Sequence, residues 1–129
     1  MEHLVECQQM LEQLKIDYPL PPSVRFSCEF QSGTRAKIGS GRKWGAGLAY
    51  VFGVELPIQI GKIAIAMDAA PRTLERRLRT LAHEYRHMLQ AFVLNTYSRT
   101  GRWDDPAEYD AITFAKEYVK DYMAKQNLK

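Results

Sequence analysis

Three residues concentrate the chemistry of this chain: His83, Glu84 and His87, in the run His83-Glu84-Tyr85-Arg86-His87. Histidines four positions apart on a helix stack their imidazoles on one face, where both can reach a single metal ion. The glutamate between them can then take a proton from water at that metal instead of binding the metal itself. A zinc ion in such a site brings the pKa of its water to about neutrality and polarises a substrate carbonyl, which is the chemistry of peptide-bond hydrolysis.

Catalytic zinc takes a third protein ligand and keeps one position open. No histidine or cysteine follows His87, so the downstream candidates are Asp104, Asp105, Glu108, Asp110, Glu117 and Asp121. At about 100° per residue, Glu108 shares a helix face with Ile112, Ala115, Val119 and Tyr122, while Asp110, Glu117 and Asp121 group on the other side. A carboxylate that continues a buried apolar stripe needs a cation or a metal. Glu108 is therefore the expected third ligand. A second role competes, because Asp105-Pro106-Ala107-Glu108 is also a capping box in which Glu108 bonds back to the backbone of Asp105.

The combination resembles the gluzincin class of zinc peptidases, in which HExxH is followed by a glutamate on a second helix. Glu108-Tyr109-Asp110-Ala111-Ile112-Thr113-Phe114-Ala115 is similar to the E-x-[ED]-A-[ND]-x-F-A signature found in such families. ImmA/IrrE-type peptidases are among them, and there the first glutamate would be the ligand. The resemblance also implies Glu84 as general base and a small zincin-like domain. Upstream, Ala46-Gly47-Leu48-Ala49-Tyr50 and Lys62-Ile63-Ala64-Ile65-Ala66 resemble the two strands that precede the motif helix in SprT-like peptidases. Those proteins are expected to use a third histidine after the motif, and no histidine follows His87 in this chain. Ile112 stands where the gluzincin signature has Asp or Asn, a polar group able to orient a ligand histidine.

The elements that must position these residues are legible from periodicity. Leu4, Met10, Leu11 and Leu14 give a first helix over about Glu2 to Ile16, ended by the proline-rich Tyr18–Pro22. Val24 to Phe30 alternates as a half-buried strand, Leu48 to Phe52 is a second, and Lys62 to Met67 a third. The third strand puts Ile63, Ile65 and Met67 on one face and Ala64 and Ala66 on the other. It is either an edge strand that binds extended substrate beside the metal or an ordinary core strand.

Asp68-Ala69-Ala70-Pro71 reads as the start of the motif helix, which runs to about Leu94 before a Ser98–Gly101 loop. Leu74, Leu78, Leu81, Tyr85, Met88, Leu89 and Phe92 share its apolar face. His83 and His87 lie almost opposite, beside Arg76, Thr80 and Gln90. A last helix opens at Asp105 and continues to about Lys125. The order is an α+β layout in one domain, residues 1–129, with a short mixed or antiparallel sheet.

The chain has 129 residues, 46% of them hydrophobic and 26% charged, ordinary values for a globular protein. A net charge of +3 is too small to argue for nucleic acid as the main partner. Cys7 and Cys28 have no metal-binding spacing and read as reduced thiols. No signal peptide or membrane span is seen, so the expected compartment is the cytoplasm.

The expected function is zinc-dependent hydrolysis of a protein or peptide substrate, with His83, His87 and Glu108 on zinc and Glu84 as general base. One alternative is a catalytically inactive zinc-binding regulatory module on a peptidase scaffold. Another is a nucleic-acid-associated protein using Arg72, Arg76, Arg77 and Arg79, whose charge near a helix start opposes the macrodipole. Tyr50, Tyr109 and Tyr118 are candidate donors to a developing oxyanion. Substrate and oligomeric state are not encoded in any recognisable feature.

Overall fold

The alternating Val24, Phe26, Cys28 and Phe30 form β1 (Val24–Gln31), and the expected second and third strands form β2 (Gly47–Phe52) and β3 (Gln59–Ala66). The computed structural model describes residues 1–97 and 105–127. Asp104 and the Ser98–Gly101 loop lie outside the described residues. The sheet has the order β1-β3-β2, with β1 parallel and β2 antiparallel to β3. β3 is therefore the central strand, and the edge-strand reading of Lys62–Met67 gives way to the core reading. The edge strand that passes Thr80 and Glu84 of the motif helix is β2.

Three helices complete the α+β fold: α1 (Leu4–Asp17), α2 (Leu74–Leu89) and α3 (Pro106–Gln126). The two faces of β3 are buried differently. Ile63, Ile65 and Met67 join the main core beneath the helices, while Ala64 and Ala66 pack with Ala36, Ile38 and Leu48. Small residues suit that second face because the irregular chain before β2 lies directly on it.

α2 begins at Leu74, not at Pro71. Thr73 is extended and its side chain accepts the Arg76 N–H, an N-cap that fixes the start three residues beyond the proline. Leu78, Leu81, Tyr85 and Met88 are fully buried on the expected face. Gly61 lets β3 approach that face: a Cβ there would lie 2.6 Å from Met88 Sδ. The helix continues to Leu94 as expected, but its last turn, Gln90–Leu94, is π-helical and ends at Asn95 in the left-handed region. Single π turns of this kind recur beside functional sites.

α3 differs from expectation in its phase. Its buried line is Ala107, Ala111, Ala115, Val119 and Tyr122, whereas Ile112 is 52% exposed. Alanines let two helices approach closely, and a larger residue is displaced from that seam. Among the described residues, no helix is long and apolar enough to cross a membrane. Both cysteines are free, with burial pushing each thiol up to about 12.

Candidate metal centre

His83 and His87 leave α2 on one side with ring centroids 4.9 Å apart and planes at 83°. α3 covers this side, so the histidine face is not an open surface: His87 is buried and His83 half-buried. Glu108, in the first turn of α3, reaches both rings. Its Oε2 lies 3.1 Å from His83 Nε2 and its Oε1 2.8 Å from His87 Nε2. The N-cap is supplied by the Asp105 carboxylate, which accepts the Ala107 N–H at 2.8 Å. Both oxygens of Glu108 are thus turned toward the imidazoles, not toward the helix start.

His87 is held from behind. Its Nδ1 lies 2.8 Å from Gln90 Oε1, and Gln90 is fully buried. The Gln90 amide donates to Ala107 O and to Asp110 Oδ2, both at 2.8 Å. With both amide hydrogens so committed, Oε1 can only accept, and His87 Nδ1 must carry the proton. His87 then directs its Nε2 at a carboxylate oxygen. Such an approach is attractive only when a cation, a shared proton or a metal ion, lies between the two.

Asp110 is fixed in turn by Arg86, whose Nε and Nη2 donate to its two oxygens at 2.7 and 3.1 Å. These bonds, helped by the one from Gln90, hold the Asp110 carboxyl below its ordinary range against the opposing effect of burial. Arg86 also lies 4.7 Å over the Phe114 ring. The chain Arg86–Asp110–Gln90–His87 therefore sets one imidazole's tautomer and orientation from two helices.

Glu84 turns away from this network toward β2. A Cβ on Gly47 would lie 2.9 Å from Glu84 Cγ and Oε2, so only glycine lets the strand pass here. Burial first, and the charge of Glu108 second, push the Glu84 carboxyl up to about 8. A cation at the imidazoles would act in the opposite sense. His83 is lowered, first by burial and then by His87, with Glu108 opposing. His83 and Glu84 open onto a cleft of about 400 Å³ that also takes in Gly47, Thr80 and Ile112.

Donor atoms of His83, Glu84 and His87 lie within 4.8 Å of one another, a group that could hold a metal ion. Two carboxylates compete to complete a set with the histidines. Glu108 makes the closer claim because it touches both Nε2 atoms, whereas Glu84 lies against the strand. The donor types, two imidazole nitrogens and a carboxylate oxygen, fit a divalent transition metal with an open position.

The structure brings together His83, Glu84, His87 and Glu108. It leaves Asp105 as a cap, and Asp110 as the partner of Arg86 and Gln90. Tyr118 donates to Asp17 on α1 and Tyr109 is exposed, so neither faces the site. Tyr97 does, with its ring centroid 5.5 Å from that of His87. Gln90 and Tyr97 carry no motif signal; only Gln90's place three residues after His87 hints at its role. No protein family, curated protein or solved structure matches this chain.

Proposed function

We propose that this protein is a zinc-dependent peptidase in which His83, His87 and Glu108 hold the metal and Glu84 handles the proton. The observation that carries the reading is the pair of Glu108 oxygens facing both imidazole Nε2 atoms, with Glu84 next to them on the cleft. Zinc bound there supplies Lewis acidity, polarising a carbonyl and acidifying water near neutral pH.

The protein's own groups do the rest. Glu84 takes a proton from the attacking water and returns it to the departing amine nitrogen. Gln90 keeps His87 Nδ1 protonated and Nε2 free to bind. β2, an edge strand of the sheet beside Glu84, offers its backbone to an extended peptide by strand addition. The sheet, the motif helix and the following ligand helix support a zincin-like reading of the fold. The departure at Ile112 favours a non-catalytic module less than its sequence suggests, because Gln90 already serves His87.

The test is zinc content and hydrolysis of unfolded protein substrates, in wild type, Glu108→Ala and Glu84→Gln. A single zinc per chain, lost in Glu108→Ala, is expected. Glu84→Gln should keep the zinc and lose about 10²–10⁴-fold in rate. Failure of wild type to take up zinc ends the metal reading. Full zinc without hydrolysis ends only the catalytic one.

A further inference from the structure

The four arginines near the start of α2 do not act together. Arg77 is buried, donating from Nε to Met67 O at 2.8 Å and from Nη1 to His3 Nδ1 at 2.6 Å. It ties α1 to the end of β3. Arg76 and Arg79 instead turn into the cleft that holds His83 and Glu84, and Lys116 of α3 closes on it from the far side. Arg79 is tethered to Glu75, yet its Nε is buried without an acceptor among the described residues. Among the described residues, the cleft is thus lined by three cationic side chains, with Glu84 as its one carboxylate, and by the apolar Ile112 and Ala115.

We infer that this cleft selects substrate segments carrying a carboxylate close to the bond to be cut. The inference rests on the peptidase reading for its setting, but its own basis is the charge in the cleft. Cations on two facing helices, beside low-dielectric walls, concentrate anions more strongly than the same charges on an open surface. A guanidinium matches a carboxylate in a two-pronged geometry, and the cleft presents two guanidinium groups, those of Arg76 and Arg79. The carboxylate can come from an acidic side chain or from a peptide C-terminus. Ile112, exposed at the cleft, is then a contact for the apolar part of the substrate.

The experiment uses fluorescein-labelled peptides of Gly, Ala and Ser carrying a single Glu, Gln or Lys, each with a free or an amidated C-terminus. Binding is followed by anisotropy with and without added zinc. The protein is wild type or Arg76→Glu/Lys116→Glu, which alters two exposed side chains and spares the partly buried Arg79. Circular dichroism and zinc content check that the variant is folded.

The Glu peptide should bind wild type roughly tenfold or more tightly than the Gln peptide. In the variant that preference should vanish or pass to Lys. A preference that follows only the free C-terminus supports the terminal source, and one that follows Glu supports the side-chain source. Equal or undetectable binding of the Glu, Gln and Lys peptides, irrespective of terminus, overturns the inference. So does a preference for Glu that survives in the variant. A labelled single-stranded oligonucleotide that outcompetes every peptide at the same cations also overturns it. Mass spectrometry of the same mixtures separates the two readings: carboxylate preference without cleavage defeats hydrolysis alone, and cleavage without preference defeats this inference alone.

Discussion

Leu78, Leu81, Tyr85 and Met88 on one side of α2 are sealed by apolar contact with the sheet and α1. His87 and Gln90 on the other side are sealed just as fully by α3, yet there each polar group is matched to a polar partner. The apolar side is tolerant in kind, since any residue of similar shape and volume fills it. The polar side is not, because each donor must find its own acceptor and a missing one leaves a buried group unsatisfied. One helix therefore carries a forgiving face that fixes the fold and an exacting face that fixes the site.

The strongest probe of this contrast is Glu84. Its carboxyl moves from an ordinary value of 4.5 to about 8 in the folded, metal-free protein. Between those values the folded state keeps a proton that the unfolded chain has lost. The associated stability is complete below the lower value and falls as pH rises through the window. Metal-free Glu84→Gln should thus be more stable than wild type by on the order of 4 kcal/mol near pH 8 and indistinguishable in acid. Urea unfolding at both pH values measures this, and equal stability at high pH would remove the cost assigned to ionising Glu84 in its buried place against β2.

The forgiving face predicts a plain packing loss. Leu81→Ala should cost about 3 kcal/mol in urea unfolding while the folded fraction keeps its full zinc stoichiometry. Loss of zinc from folded protein would mean that the two faces are not separable. Gln90→Leu should do the reverse, keeping most of the fold while weakening zinc 10–100-fold in chelator competition. An unchanged affinity would show that Gln90 does not set His87. The smallest effect is expected at Ile112→Asn. A polar residue there should alter stability by less than about 0.5 kcal/mol and leave zinc affinity unchanged, because Gln90 already occupies the position behind the histidine. Tenfold tighter zinc in that variant would return the orienting role to position 112.

Much of this contrast was readable from the sequence on one side only. The apolar face of α2 declares itself through helical spacing, and the histidine spacing locates the site on the opposite face. The burial of that opposite face was not readable, because Arg86, His87 and Gln90 look like residues meant for water. The phase of α3 was misread for a related reason: large residues such as Ile112 suggest a core stripe, while the close seam with α2 is made by Ala107, Ala111 and Ala115. The sheet's strands follow from alternation, but their order does not. Alternation says which faces are buried and nothing about which strand lies between the others, so β3 could be central or peripheral until its pairing with both β1 and β2 was seen. Asp110 was in view as a candidate ligand, yet its real partner, Arg86, hid inside the motif as one of its unspecified positions.

Gly47 shows how far a missing methyl group can reach. The strand passes so close to α2 that a Cβ here would lie 2.9 Å from the Glu84 carboxyl, and the burial that this close approach helps to give is the main reason the acid is reluctant to ionise. A side chain at Gly47 would wedge the seam apart and let solvent in, and Glu84 would drift back toward the behaviour of a surface glutamate. The acidity of the residue proposed to move the proton is thus written into a strand position that has no functional group at all.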